Sequence, residues 1–600
     1  MLNLSVAFVR KHATLIAIGF FILLCIIQAG KPLHLDNVDF PAVGKATAIS
    51  GLPIYYRGEQ TPHFSGLYHP PLYIYTLAAW YNLFSFSPTT TRMLGALCAI
   101  FQGALALMIL RCLFGLEVKR RVAPFFWLLF LLNPYTLAIS SIADIDSTIY
   151  GPILLAIIYS VLRCRWRDAT EIRDHIPTRR IILTSLLFAL GLWAKLTTIL
   201  LLIPLIYLLL AAPGRWLSAA RTTAIMVATG VLIFLSTYGL YGWAFNLDIK
   251  YTFNFLLFSL THRGAAGGAG GILGRLQGNL DNLLFNVPFT IRWTGLLTWA
   301  LILGLTGAFA YVAYQRKNLK LFHFLLLALL PLVNIFYYWC QVMPFGYSPQ
   351  KYHFVFWSLL HLPFAVLAAG IRPGELIPSA KIDVVRGEAE SLCLFAAFML
   401  AMVCGVTFVK DELITMQSSL LILSSSLFIP LVICSVIGLC LTILKMRVKV
   451  RAYQTLVALL IICNAGLLAG IAWAQAKRPY TTTYNYGQRG ITDAVAYLRS
   501  HTSKDEIISS MKDVGLMSER KYFENYGALF DRSASDQLIK NLETGKIRYA
   551  VFTQGIGEDQ LDAVPQLKVE VERTCQLVAQ FGNYLIYEPK YWLLKRNCSG

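Results

Sequence analysis

Apolar stretches of about 18 or more residues recur along most of this chain, and they constrain its fold more than any other feature. Each stretch is long enough to cross a hydrocarbon core roughly 30 Å thick as an α-helix. Hydrophobic residues make up 56% of the chain and charged residues only 14%, which is far from the balance of a soluble protein. The sequence therefore predicts a polytopic α-helical membrane protein.

The hydropathy pattern predicts about thirteen membrane spans. They are 13–30, 92–112, 122–140, 147–163, 181–195, 197–212, 222–242, 294–314, 321–340, 354–370, 391–409, 418–444 and 453–474. A further apolar segment, 70–86, is short and begins with two prolines. We expect a helix that lies near the interface there, and a further span is the alternative.

Basic residues orient these spans, because cytoplasmic loops of membrane proteins carry an excess of Lys and Arg. With the N-terminus inside as an uncleaved signal anchor, the inner loops carry 24 Lys and Arg against 8 Asp and Glu. The net charge of +20 is therefore mainly a topology signal, and basic clusters this short do not indicate nucleic-acid binding. The loops 31–91 and 243–293 then lie on the outer face, and an odd number of spans places the tail, 475–600, there as well.

The same topology divides the chain into a membrane domain, 1–474, and an extracytoplasmic tail, 475–600. The tail alternates helix and strand patterns, which predicts a small α/β domain with a capping or recognition role. Its predicted helices are 490–499 and 533–541, and its predicted strands are 506–509, 548–552, 578–581 and 584–587.

Cysteine and glycine patterns add two open alternatives. Cys575 and Cys598 are the two tail cysteines, and an oxidising outer face permits a disulfide between them without requiring one. No zinc-type Cys/His spacing appears in the sequence. Five glycines between 267 and 274 make the loop 243–293 either a flexible gate over a substrate cavity or a disordered loop.

Acidic residues occur at the predicted outer boundary in two places. Asp36 and Asp39 follow the first span, and a three-residue spacing puts them on one face if the segment is helical. Asp39 has apolar neighbours and is the stronger candidate for a catalytic residue. For Asp36 alone, a solvated acid at the interface is the favoured interpretation. Asp144 and Asp146 lie between the third and fourth spans, where an acid faces a water-filled cavity or pairs with a basic residue.

Cations at the same boundary suit the binding of a lipid-linked phosphate. Lys195 is an isolated charge at the outer end of a span, with snorkelling to the interface as the alternative. Lys351, Tyr352 and His353 lie at another outer boundary and offer a second phosphate contact, and Arg57 is a weaker candidate.

In order and sidedness, these residues resemble the landmarks of the GT-C glycosyltransferases, in particular the protein O-mannosyltransferase-like branch that includes the bacterial lipid A aminoarabinose transferases. Asp39 corresponds to the first-loop catalytic acid, and His69 to Tyr73 to a (K/H)-P-P-L-Y segment. Asp146 corresponds to the acid of the second outer loop, Lys195 to a lysine ending a span, and 351–353 to a basic-Tyr segment. The likeness covers about residues 1–370.

The chain departs from the family pattern at three points. The usual Asp-Glu pair of the first loop is Asp39-Phe40, so Asp36 takes the role of the Glu or the role is absent. His69 stands where a lysine is common, and it titrates nearer neutrality. Asp144 beside Asp146 leaves open which of the two acids is equivalent to the family's.

The resemblance implies an inverting glycosyltransferase that moves a sugar from a polyprenyl-phosphate donor to a lipid, glycan or protein at the outer face of a bacterial inner or plasma membrane. It implies a general base at Asp39, phosphate contacts from Lys195 and Lys351, and an orienting role for Asp146. His69, Asp144, Tyr352, His353 and Arg57 are the further substrate-binding candidates. No cofactor is expected, and the sequence supports no metal.

Two other functions remain open. A transporter or flippase would use Asp39, Asp144, Asp146 and Lys195 as a coupling path near the midplane. These acids lie at one face of the predicted membrane, and no inverted repeat is visible, which favours the transferase. A ligase or polymerase of lipid-linked glycans would use a similar outer loop with another acceptor.

Overall fold

Apolar helices dominate the parts of the chain before residue 370. The computed structural model describes residues 2–30, 32–33, 36–53, 69–132, 134–166, 176–211, 216–247, 249–250, 252–254, 319–341, 352, 354–369, 371, 376, 490–525, 527–529, 531–554 and 561–598. The helices longer than six residues that the structure describes before residue 370 are α1 (Leu2–Ala29), α2 (Asp36–Ser50), α3 (Leu72–Phe84), α4 (Pro88–Leu131), α5 (Pro134–Ser140), α6 (Tyr150–Arg165), α7 (Thr178–Ala194), α8 (Thr198–Leu210), α9 (Trp216–Ala244), α10 (Leu319–Gln341) and α11 (Trp357–Ala368).

The chain folds into two compact units. The helical unit comprises Met1–Cys25, Gly66–Leu72 and Leu94–Ile471. The mixed unit comprises Ile26–Ser65, Tyr73–Met93 and Ala472–Gly600. The mixed unit therefore combines most of the predicted first outer loop with the tail.

Two of the described helices, α4 and α9, are long and apolar enough to cross a membrane. The predicted count of thirteen spans is therefore not confirmed. Helices α6, α7, α8 and α11 coincide with predicted spans but have 16, 17, 13 and 12 residues, fewer than the roughly 20 that a full crossing needs. The predicted spans 294–314, 391–409, 418–444 and 453–474 lie outside the described residues.

Helix α4 contains one predicted span and most of the next. Its backbone is interrupted at Gly115, where φ is 90°, a left-handed conformation that glycine adopts without a steric penalty. The helix ends at Leu131. The next helix, α5, begins at Pro134, and proline is common at the first position of a helix. The predicted span 122–140 is therefore two helices.

Segment 70–86 forms helix α3, as the sequence predicts. Its 13 residues follow Pro70 and Pro71 and rise by about 20 Å. This length is too short for a crossing, so the expected interfacial helix is favoured over a further span.

Helices α6 to α9 pack side by side in the helical unit. A Cβ added to Gly230 of α9 would lie 2.8 Å from the carbonyl oxygen of Ser185 on α7, so the glycine permits close approach of the two helices. On the other side of α7, the hydroxyls of Ser160 and Thr184 lie 2.8 Å apart and join α6 to α7. This packing fixes the turn between α7 and α8.

The tail is a five-stranded sheet with helices on both faces. Its elements are α12 (Ile491–His501), β1 (Ile507–Ser510), α13 (Lys512–Ser518), β2 (Lys521–Glu524), α14 (Arg532–Glu543), β3 (Ile547–Thr553), α15 (Pro565–Thr574), β4 (Cys575–Phe581), β5 (Tyr584–Pro589) and α16 (Lys590–Cys598). The strand order is β2-β1-β3-β5-β4. Strands β1, β2 and β3 are parallel, and β5 is antiparallel to β3 and β4.

Alternating side chains of the strands bury both faces of this sheet. Ala550 and Phe552 pack against α14 and α15, whereas Tyr549 and Val551 pack against α12. This alternation follows from the two-residue period of a strand. Burial raises the pKa of Tyr549 to about 12. The predicted α/β class and all six predicted tail elements are confirmed, while α13, β2, α15 and α16 are additional.

Cys575 is a buried free thiol in this fold. The expected alternative of a disulfide with Cys598 is therefore wrong for this structure. Burial raises the pKa of the Cys575 thiol to about 12, so the group behaves as a small apolar residue between β4 and α15.

Candidate active site

Lys195 lies in the turn between α7 and α8, where the helical backbone is interrupted. Its backbone is extended, with φ −161° and ψ 129°, and its N–H donates to the carbonyl of Gly191 at 2.9 Å. The hydroxyl of Thr198 donates to the carbonyl oxygen of Lys195 at 2.7 Å. These contacts satisfy polar groups at the end of α7 and hold the lysine in one position.

The ammonium of Lys195 contacts both carboxylate oxygens of Asp146. The distances from Nζ are 2.8 Å to Oδ1 and 2.6 Å to Oδ2. The lysine side chain is 7% exposed and the aspartate side chain 2%. A buried charge is strongly unfavourable unless it is paired, so each of the two charges offsets the cost of burying the other.

The turn before α6 holds Asp146 in place. The backbone N–H of Asp146 donates to Oδ1 of Asp144 at 3.1 Å, an Asx-type contact that orders a turn. The Ser147 hydroxyl donates to the carbonyl of Ile142 at 2.7 Å, and the Thr148 hydroxyl donates to that of Asp144. The geometry thus gives Asp146 the ion pair, and Asp144 orders the chain around it.

Two tyrosine rings flank the buried ammonium. Nζ of Lys195 lies 5.0 Å from the ring centroid of Tyr352 and 5.8 Å from that of Tyr150, distances at which a cation and an aromatic face attract. The carbonyl of Tyr352 accepts from Asn334 on α10 at 2.9 Å. The structure therefore brings together Asp146, Lys195 and Tyr352, three of the residues singled out by the sequence.

Tyr150 was not among the sequence candidates. It begins α6, and its hydroxyl lies 3.1 Å from that of Thr197 in the α7–α8 turn. The sequence gives little reason to assign a tyrosine four residues after Asp146 to the site, because aromatic residues are common in apolar helices.

Asp39 lies in α2 of the mixed unit, one turn after Asp36, which begins the helix. Its Oδ1 accepts a hydrogen bond from Nζ of Lys512 at 2.7 Å, and Glu524 approaches the same ammonium at 3.8 Å. The side chain of Asp39 is 34% exposed. The carboxylate is therefore accessible, and a tail residue that sequence reasoning missed contacts it.

A second lysine on α2 packs in a partly apolar environment. Nζ of Lys45 lies 4.8 Å from the ring centroid of Phe86. Burial lowers the pKa of Lys45 below its usual value, an effect that the nearby Glu519 opposes. The charged form is therefore disfavoured at this contact between α2 and the tail.

The remaining candidates are less informative. His69 is half-buried and directly precedes the two prolines that lead into α3. Arg57, Lys351 and His353 lie outside the described residues, as does most of the loop 243–293. Within the described part of the chain, no group of three or more His, Cys, Asp and Glu side chains could hold a metal ion.

No protein-family model matches the sequence, and a search of curated proteins found no match. Among solved structures, the chain is similar to ArnT from Cupriavidus metallidurans bound to undecaprenyl phosphate. The two chains share 12% sequence identity with a TM-score of 0.55, over 96% of this chain and 97% of that chain. For the apo state of the same protein, the identity is 13% and the TM-score 0.56, over 98% of each chain.

The apo oligosaccharyltransferase of Archaeoglobus fulgidus matches more weakly, with 13% identity and a TM-score of 0.46 over 91% of this chain and 69% of that chain. The ArnT comparisons show that the chain shares the fold of that protein. The resemblance that the sequence motifs indicate is therefore confirmed at the level of the fold.

Proposed function

We propose that this chain is a glycosyltransferase that moves a sugar from a polyprenyl-phosphate carrier to an acceptor hydroxyl at the outer face of a membrane. The fold shared with ArnT suggests the proposal, since one of the two ArnT structures holds undecaprenyl phosphate. Fold alone does not define chemistry, so the argument for this chain rests on its own charged residues.

The donor phosphate is assigned to Lys195. An ammonium has three N–H donors. Among the described residues Asp146 takes two of them, and we assign the third to a phosphate oxygen. The pair with Asp146 holds the ammonium in a buried site, where electrostatic attraction is stronger than in water. The ring of Tyr352 limits the approach to the ammonium.

The acceptor is assigned to Asp39. In the proposed step, the acceptor oxygen attacks the anomeric carbon and its proton passes to the Asp39 carboxylate. The bond between that carbon and the phosphate oxygen breaks, and polyprenyl phosphate leaves with both electrons of the bond. Attack opposite the leaving group inverts the anomeric configuration, as the resemblance implies.

Lys195 and Asp39 are both assigned to the predicted outer face of the membrane. The contact between Asp39 and Lys512 supports the predicted topology, in which the first loop and the tail share the outer face. Lys195 ends a helix at the boundary that the basic-residue pattern assigns to that face. We therefore propose an extracytoplasmic active site in a multi-pass membrane protein.

Release of polyprenyl phosphate from a sugar-loaded donor by purified protein tests the proposal. We expect Lys195→Met to weaken donor binding, and Asp39→Asn to lower turnover by about 100-fold or more while donor binding is retained. Native turnover in Asp39→Asn would reject the base assignment, and native donor affinity in Lys195→Met would reject the phosphate assignment.

Lys320→Met is the matched control for Lys195→Met. Both lysines are 6% exposed, and each lies over one aromatic ring or more, since Nζ of Lys320 is 4.8 Å from the Trp166 centroid. Lys320 lies in the predicted inner loop that carries Arg316 and Lys317, so removal of its charge leaves donor affinity unchanged if the phosphate binds at Lys195.

A further inference from the structure

We infer that Lys512 of the tail is a positioning residue for the catalytic base, and both residues lie in the mixed unit. The inference rests on the proposed function and extends it to a residue that neither the fold comparison nor the sequence motifs single out. Its basis is the 2.7 Å contact between Nζ of Lys512 and Oδ1 of Asp39.

The position of Lys512 follows from the sheet. Strands β1 and β2 are parallel neighbours, and Ser510 is the register partner of Glu524. The carboxyl ends of these strands therefore meet at one edge, the edge at which open α/β sheets place functional side chains. Lys512 begins the helix that follows β1, and Glu524 ends β2. This edge thus presents one cation and one anion to α2.

A second contact sets the distance between α13 and α2. Leu516 packs with Leu33 and Val38 in one buried cluster. Lys512 and Leu516 are four residues apart on α13 and share a face, whereas Val38 and Asp39 are neighbours on α2. The apolar contact and the ion pair therefore act together, and α13 approaches α2 in one register.

The edge that carries Lys512 is itself held by hydrogen bonds. The buried Asn525 follows Glu524. Its side-chain Nδ2 donates to the carbonyl oxygen of Val551 on β3 at 2.7 Å. Its backbone N–H donates to the carbonyl oxygen of Ser510 on β1. Side-chain hydrogen bonds of this kind fix the geometry around a functional group. Lys512 is therefore presented from an ordered framework.

The proposed chemistry gives Lys512 and Lys195 different roles. In a displacement with inversion, the base and the departing phosphate lie on opposite sides of the anomeric carbon. A lysine in direct contact with the base therefore acts on the acceptor side, unlike Lys195. The side chains of Lys512 and Asp39 are 26% and 34% exposed, so an acceptor can approach while Lys512 holds Oδ1 and Oδ2 receives the proton.

The test compares turnover and donor binding in the full-length protein. We expect Lys512→Met to lower kcat by about 10- to 100-fold, because small errors in the position of a catalytic group have effects of this size. Binding of polyprenyl phosphate is expected to stay within about twofold of wild type. Lys512→Arg is expected to recover most of kcat, because it restores the charge.

Lys568→Met is the matched control, since Lys568 also forms a close pair in the tail, 2.6 Å from Asp562, remote in sequence from Asp39. It is expected to keep wild-type kcat. A wild-type kcat in Lys512→Met, or an equal loss in Lys512→Arg, overturns the inference. If Lys512→Met does not fold, Lys512→Gln takes its place and is expected to show the same loss of kcat.

Failure of the proposed function gives a different pattern. If wild-type protein releases no polyprenyl phosphate, the function itself is rejected. If the wild type is active, Asp39→Asn is inactive and Lys512→Met is fully active, only the role of Lys512 is rejected.

Discussion

Two lysine–aspartate pairs lie at the centre of the candidate chemistry, one in each unit of the chain. Their closest N–O distances are nearly equal, 2.6 Å for Lys195–Asp146 and 2.7 Å for Lys512–Asp39. Their surroundings differ, because the first pair is buried and the second is about a third exposed. Contact distance alone therefore does not distinguish the two pairs, whereas burial does.

The difference in burial predicts different roles. A buried pair is costly to disrupt, since the remaining charge has neither water nor a partner. An exposed pair contributes little to stability because water and salt screen it. Lys195–Asp146 is suited to a permanent phosphate site, and Lys512–Asp39 is suited to a carboxylate that must still accept a proton.

The largest expected effect is at the buried pair. Asp146→Ala leaves the Lys195 ammonium buried without its carboxylate, and we expect the free energy of unfolding to fall by about 3–5 kcal/mol. Denaturant unfolding in detergent micelles measures this change. A stability equal to wild type would contradict the buried-pair assignment.

The double variant Lys195→Met/Asp146→Leu sharpens this result. Apolar replacement of both partners of a buried pair is often neutral for stability, so we expect unfolding near that of wild type together with loss of donor binding. Retained donor binding in the double variant would show that the phosphate is held elsewhere.

The next effect concerns the apolar contact beside the exposed pair. Leu516→Ala removes buried methyl groups from the cluster with Leu33 and Val38, and we expect a loss of about 2–3 kcal/mol. We also expect kcat to fall, because α13 no longer holds Lys512 in register with Asp39. Val569→Ala, at an exposed position of α15, is the control and should change neither quantity.

Removal of the exposed charge should have little effect on stability. For Lys512→Met we expect a change of less than about 1 kcal/mol in the free energy of unfolding, in contrast with its effect on kcat. A loss of unfolding free energy as large as that of Asp146→Ala would mean that the exposed pair contributes to stability as much as the buried pair does.

The smallest effect is a pH dependence at Lys45. Burial holds the pKa of Lys45 in the folded protein below its usual value of 10.5. At pH values between the folded and the unfolded pKa, the unfolded chain therefore binds more protons than the folded protein. Stability should rise with pH through this window. Lys45→Met is expected to remove this contribution, which unfolding curves at increasing pH would measure; an unchanged pH slope would contradict it.

Local patterns in the sequence predicted the tail well. Strands β3 and β5 are buried along almost their whole length, so they appear in the sequence as nearly continuous apolar runs, at 547–553 and 584–589. Asp146 and Lys195 were also accessible to prediction, because a charge beside an apolar stretch requires a partner or water. Their direct contact was one of the alternatives that the residues left open.

Other features have no local signal. Lys512 and Asp39 are 473 residues apart, and nothing near Lys512 in the sequence distinguishes it from other tail lysines. Helix α13 was missed because its seven residues are too few for a period to be recognised. The predicted span 181–195 is shorter than α7, and the predicted span 197–212 is longer than α8, because tertiary packing sets where these helices begin and end.

The pairing of Asp39 with Lys512 has a consequence for biosynthesis. The ribosome completes α2 long before it reaches α13, and closure of such a long loop carries an entropic cost that contacts formed late must offset. Helix α2 therefore lacks its partner throughout most of translation, and the contact between Asp39 and Lys512 forms only after the tail has emerged and folded.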